Sequence, residues 1–196
     1  MELSQSRTVK ILAVLLLLTA ISQPIYTALF YYAPDFNRHV LWGLEGFIFV
    51  LLAAFAGSAL VMAKRYTLGF SAIAFSAVLN VVQVGVGLRQ FTPFREAAEA
   101  NPDLGGLAFA VVTFSFFGYN AAKILLGLAA VDFGMARLKD GAKVLGGAAV
   151  LWCNRLCGQH LGHDIRRARL FPETNRGRFR RFSDSALGYL SVQCPE

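Results

Sequence analysis

Six side chains are chemically out of place because each interrupts a long apolar stretch: Gln23, Glu45, Asn80, Gln83, Asn120 and Lys123. A charge carried into hydrocarbon costs at least ~2.5 kcal/mol on insertion scales. Such groups therefore turn toward other protein groups and line ion paths, proton relays or contacts between helices. Asn80 and Gln83 are three residues apart, as are Asn120 and Lys123, so each pair projects from one helical face and can meet the other across a bundle. Depth argues against Glu45 touching Lys123, since Glu45 falls near the outer end of its stretch and Lys123 in the inner half of its own. In the plainer reading Lys123 snorkels to the inner headgroups and Glu45 reaches the outer interface beside Arg38 and His39. For Gln23, Asn80, Gln83 and Asn120 the plainer reading is hydrogen bonding that ties helices together.

A second constellation lies near the C-terminus, where Cys153, Cys157, His160 and His163 follow a C-x3-C-x2-H-x2-H spacing. Thiolates and imidazoles suit zinc, which prefers four such ligands in a tetrahedron. Four ligands crowded into eleven residues of one helix cannot easily surround one ion, so no metal is expected there. Other signals point away from catalysis. Asp132-Phe133-Gly134 spells the metal-binding triplet of protein kinases, but neither a Gly-rich phosphate loop nor a catalytic-loop motif accompanies it, and the match is read as chance. The chain has no H-E-x-x-H, Walker or G-x-S-x-G motif, and no paired histidines for an intramembrane haem. No cofactor is expected, and an enzyme is the least supported class.

The elements that must position the six polar residues are long apolar runs. Residues 11–32 carry no charge, enough to cross a hydrocarbon core of ~30 Å at ~1.5 Å per residue. Arg7 and Lys10 before this run, with Ala20 and Ser22 late in it, imitate a signal peptide, but apolar character continues past Ile25 and favours an uncleaved anchor. Pro24 removes one backbone donor and should bend this helix. Residues 40–63, 68–88 and 104–131 supply three more spans, the last long enough that it must tilt or protrude. Between the third and fourth spans, the Arg95 to Ala100 segment suits a short surface helix before Asn101-Pro102 breaks it. Tyr31, Tyr32, Trp42 and Tyr66 fit interfacial belts. Ala53-x3-Gly57 and Gly118-x3-Ala122 allow close helix approach, and the seventeen Phe residues are mainly lipid-facing.

Composition agrees: of 196 residues 56% are hydrophobic and only 16% charged, against roughly a quarter charged in soluble domains. The fold class is therefore all-α, a polytopic membrane bundle of four transmembrane helices over residues 1–151. A truncated fifth hydrophobic segment at 144–152 is cut short by Asn154 and Arg155. Residues 152–196 form a basic, poorly ordered tail with eight Arg and no Lys, either an evolved lipid-binding tail or a stretch read in a shifted frame. Lys and Arg placement puts both termini on the cytoplasmic side of a bacterial-type cell membrane. The net charge of +7 is distributed toward anionic headgroups and not toward nucleic acid. The leading function is a small transporter or channel-like subunit acting as an oligomer. A non-catalytic partner or assembly factor of a larger membrane complex comes second, and an intramembrane enzyme on a lipophilic substrate third.

Overall fold

A computed structural model describes residues 4–33 and 36–141. The short segment at 144–152, the basic tail and the Cys153, Cys157, His160, His163 group lie outside the described residues. Five α-helices follow in order: α1 (Gln5–Tyr32), α2 (Arg38–Met62), α3 (Thr67–Arg89), α4 (Phe91–Ala100) and α5 (Gly105–Lys139), with one 3-10 turn at Pro102–Leu104. All but α4 are long and apolar enough to cross a membrane, which matches a helical bundle and is compatible with a multi-pass membrane protein.

Two helices overrun their apolar windows. α1 begins at Gln5, so Arg7 and Lys10 sit on its first turns, and α5 continues to Lys139 with Arg137 in its last turn. Backbone hydrogen bonds do not require apolar side chains, and cations at a helix C-terminus are favoured by the dipole. Pro24 lies inside α1, which carries on through it to Tyr32. The short polar helix expected before Asn101-Pro102 is present as α4, and the Asn101 side chain accepts from the Asp103 N–H at 3.1 Å where the chain turns into α5.

The long helices form a row. α1 packs on α2, α2 on α3 and α3 on α5, while α4 folds back on α5 and α3; α1 and α5 do not pack along one another. The core runs through Leu52, Ala56, Ala59, Ala77 and Ala122, all essentially buried. Small side chains there let backbones approach closely, the main source of attraction between helices in lipid. Small-residue spacing alone marks only some of these approaches: Ala122 is fully buried with its carbonyl bonded by Ser76, while other tight glycines fall outside the spaced pairs. A Cβ on Gly57 would meet nothing within 4 Å, and one on Gly118 only ordinary contacts at 3.9 Å, whereas one on Gly46 would lie 3.1 Å from Val84 and one on Gly87 3.3 Å from Trp42. Leu17, Phe47, Val61, Phe75 and Phe117 point away from the core, as lipid-facing side chains do.

One end of the bundle, bearing Lys64, Arg65, Arg137 and Lys139, is called here the basic end; the other, bearing Trp42 and α4, the aromatic end. At the aromatic end Trp42 stacks on Tyr26 with ring centroids 6.2 Å apart and meets Phe91 edge-on at 6.3 Å. At the basic end, Tyr66 precedes α3 in the left-handed region at φ 62°, a conformation unfavourable for a bulky residue. No side chain of its own caps α3; instead Asp132 of α5 accepts from the Gly69 N–H at 2.9 Å. A carboxylate on first-turn donors offsets their lost helical partners and the positive helix end. Phe133 fills the space over Gly69 and packs edge-on against Phe70 at 5.3 Å. The Asp132-Phe133-Gly134 triplet thus has a structural use, locking α5 to the start of α3.

Candidate functional site

Glu45 is only 6% exposed although it sits on an apolar helix. Its partners come from two consecutive residues of α1. The Ser22 hydroxyl lies 2.5 Å from Glu45 Oε1 and Gln23 Nε2 donates to the same oxygen at 3.1 Å. Ser22 is also 2.9 Å from the Thr19 carbonyl, but a hydroxyl has one hydrogen and the carboxyl is the closer and stronger acceptor. Both donors converge on Oε1, and among the described residues Oε2 receives no hydrogen bond. Glu45 therefore does not reach for the interface beside Arg38 and His39. α1 supplies donors within the bundle, so there is no need to do so, and His39 instead contacts the Asn37 side chain at 3.0 Å.

Gln23 carries the series onward. The Tyr119 hydroxyl of α5 donates to Gln23 Oε1 at 3.3 Å, linking two helices that do not pack along one another. One turn further along α5, the Lys123 ammonium lies 4.1 Å from the centroid of the Tyr119 ring. Helical side chains lean toward the N-terminus, here the aromatic end, so Lys123 bends over Tyr119. The ammonium therefore has a partner within the protein, the negative face of that ring.

Helix register fixes the depth of each group. Trp42 lies against Gly87 and Gly46 against Val84, which puts Glu45 near the aromatic end of α3. Gly118 faces Gln83, Ser76 Oγ donates to the Ala122 carbonyl at 2.9 Å, and Gly69 meets Asp132, which puts Lys123 close to the middle of α3. Glu45, Gln23, Tyr119 and Lys123 form a polar seam running from near one end to mid-depth. Its members differ in access: Ser22 and Glu45 are buried, Tyr119 and Lys123 half-buried, and Gln23 exposed. A cation at mid-depth costs ~2.5–3.5 kcal/mol, and a desolvated aromatic face returns up to ~2 kcal/mol. The ring offsets most of that cost and leaves the ammonium able to gain from a further partner.

The remaining sequence candidates fall elsewhere. Asn80 is buried on α3 and turns back on its own helix, donating to the Ser76 carbonyl at 3.0 Å. The expected meeting of the Asn80 and Gln83 face with Lys123 is replaced by two separate arrangements, because Ser76 makes the polar tie to α5 and Lys123 engages Tyr119. Gln83 is half-buried opposite Gly118, and Asn120 is half-buried on α5. Residues that sequence reasoning missed are Ser22, Ser76 and Tyr119. Only Tyr119 had a usable signal, its placement four residues before Lys123.

Among the described residues no three His, Cys, Asp or Glu side chains gather as a metal site would require. The arrangement provides a carboxyl with one open oxygen, an amide, a phenol and an ammonium in succession, groups that can coordinate small ions or relay protons. No family model, curated protein or solved structure matches the chain.

Proposed function

We propose that the chain is a subunit of a small transporter or channel that works as an oligomer, with the seam from Glu45 to Lys123 contributing to the path. The observation that carries this reading is polar continuity between α1 and α5, two helices that do not pack along one another. Hydrocarbon cannot satisfy a mid-depth ammonium. A second copy presenting its own seam, with water between, can, and four helices in an open row do not enclose a path alone. Positively charged loops orient the chain with its basic end in the cytoplasm of a bacterial-type cell. Exposed Lys64, Arg65, Arg137 and Lys139 would then hold anionic headgroups at about 1 kcal/mol each.

Reconstitution of the full chain tests the reading. Liposomes containing it should release trapped salt faster than protein-free ones, and cross-linking in the bilayer should yield dimers or larger species. Glu45→Gln and Lys123→Met should each change the rate by tenfold or more. A monomer in lipid, with release that neither substitution alters, refutes the proposal.

A further inference from the structure

Resting on the conduit reading, we infer that Lys123 makes the path selective for small monovalent anions. Three observations of position support this. Lys123 lies close to mid-depth, where an ion has lost most of its bulk hydration and a fixed charge acts through a low dielectric. Among the described residues its ammonium has no carboxylate within ion-pair distance; its partner is the Tyr119 ring, which leaves the N–H donors able to turn to an ion. It is half-buried, and the ring it lies over belongs to Tyr119, whose hydroxyl reaches Gln23 of α1.

The opposite charge on the seam does not undo this. Glu45 is buried, its Oε1 is held by Ser22 and Gln23, and it stands nearer the aromatic end than Lys123 does. An anion at the ammonium therefore feels attraction at mid-depth and a weaker repulsion on one side, which favours departure over permanent binding. Conduction needs that balance. A cation meets the reverse pattern, with a barrier at the centre. In an oligomer the Lys123 residues of several copies would face a common path and add to one another.

Planar bilayers holding the intact chain under a tenfold KCl gradient give a direct reading, since a fully selective path reverses at about 59 mV with a sign set by the carried ion. Wild type should reverse on the chloride side, Lys123→Arg should keep that sign, and Lys123→Met should lose at least tenfold in chloride current. Lys123→Glu should move the reversal potential to the potassium side. Helicity and elution volume in detergent show that each variant is folded. Wild-type reversal on the potassium side, or full chloride selectivity in folded Lys123→Met, overturns the assignment while leaving the conduit intact. Absence of protein-dependent current, together with absence of chloride uptake by liposomes, overturns the conduit and the assignment together.

Discussion

Two glycine-to-alanine changes should act in opposite directions, because one glycine lies beneath a side chain and the other beside open space. At Gly69 an added Cβ would come 2.7 Å from both Cε2 and Cζ of Phe133 and 2.9 Å from Oδ2 of Asp132. The ring is rigid, so it must move by more than half an ångström to reach ordinary contact, and Asp132 must withdraw with it. The first displacement weakens the edge-on contact with Phe70, worth ~0.5–1.5 kcal/mol. The second weakens a hydrogen bond from a first-turn N–H to a carboxylate, worth ~1.5–3 kcal/mol. Against these losses stands the helical preference of Ala over Gly, at most ~1 kcal/mol. Gly69→Ala should thus destabilise by roughly 1–3 kcal/mol on these same terms.

At Gly57 nothing lies within 4 Å of the added carbon, so only the helical preference remains and Gly57→Ala should stabilise by up to ~1 kcal/mol. Reversible unfolding in mixed micelles, followed by helicity against denaturing detergent, measures both. Phe133→Leu in the Gly69→Ala background should restore part of the loss, since a narrower side chain can share the space. Equal stability of Gly69→Ala and wild type, or destabilisation by Gly57→Ala comparable with that of Gly69→Ala, would refute the assignment of α3–α5 contact to the Gly69 cradle.

Further outcomes follow from the polar contacts. Ser22→Ala removes one of two donors to buried Glu45 and should cost ~1.5–3 kcal/mol in the same unfolding assay, whereas Ser58→Ala, whose hydroxyl bonds only its own helix at Ala54, should change stability by under ~1 kcal/mol. Tyr119→Phe keeps the ring under Lys123 and should preserve stability to within ~1 kcal/mol, while Tyr119→Leu should cost up to ~2 kcal/mol more; equal losses would show that the hydroxyl and not the ring matters. Asp132→Ala should cost about 1–2 kcal/mol through loss of the α3 cap and speed amide hydrogen exchange at Gly69, and unchanged exchange there would remove the capping argument.

Span number and approximate place were legible because hydropathy over about twenty residues reports directly on partition into lipid. Helix ends were less so: hydropathy stops at a charge, while α1 extends back through Lys10 and Arg7 and α5 forward to Lys139, where backbone bonding continues. Close packing was legible at Ala122, which is fully buried against α3, but not along α2. Ala53-x3-Gly57 has the right spacing, but approach depends on how each helix is rotated toward its neighbour, and it is Gly46 that meets Val84. At the site, residue cost in hydrocarbon marked Glu45, Gln23 and Lys123 as groups needing partners, and each makes a polar or aromatic contact within the protein. It could not identify Ser22, because a hydroxyl is cheap in a helix where it can bond back one turn, as Ser22 is placed to do to Thr19. Nor could local spacing show that Asp132 caps a helix beginning some sixty residues earlier in the chain.

The seam's location follows from how the row of helices is built. Where α2 meets α3 and α3 meets α5, close approach rests on Gly46, Gly87, Ala77 and Ala122, and such contacts leave little room for a long polar side chain. Gln23, Tyr119 and Lys123 need that room, and α1 and α5, which do not pack along one another, leave it. Lys123 shares α5 with buried Ala122 yet lies over the Tyr119 ring, so one helix serves both packing and polar chemistry on adjoining faces. A chain selected only for stability would place an apolar residue at position 123 and avoid the cost of a mid-depth ammonium, while Gln23 would stay as a donor to buried Glu45. Lys123→Leu should therefore raise stability while abolishing salt release, the trade expected where a fold keeps costly polar groups for use.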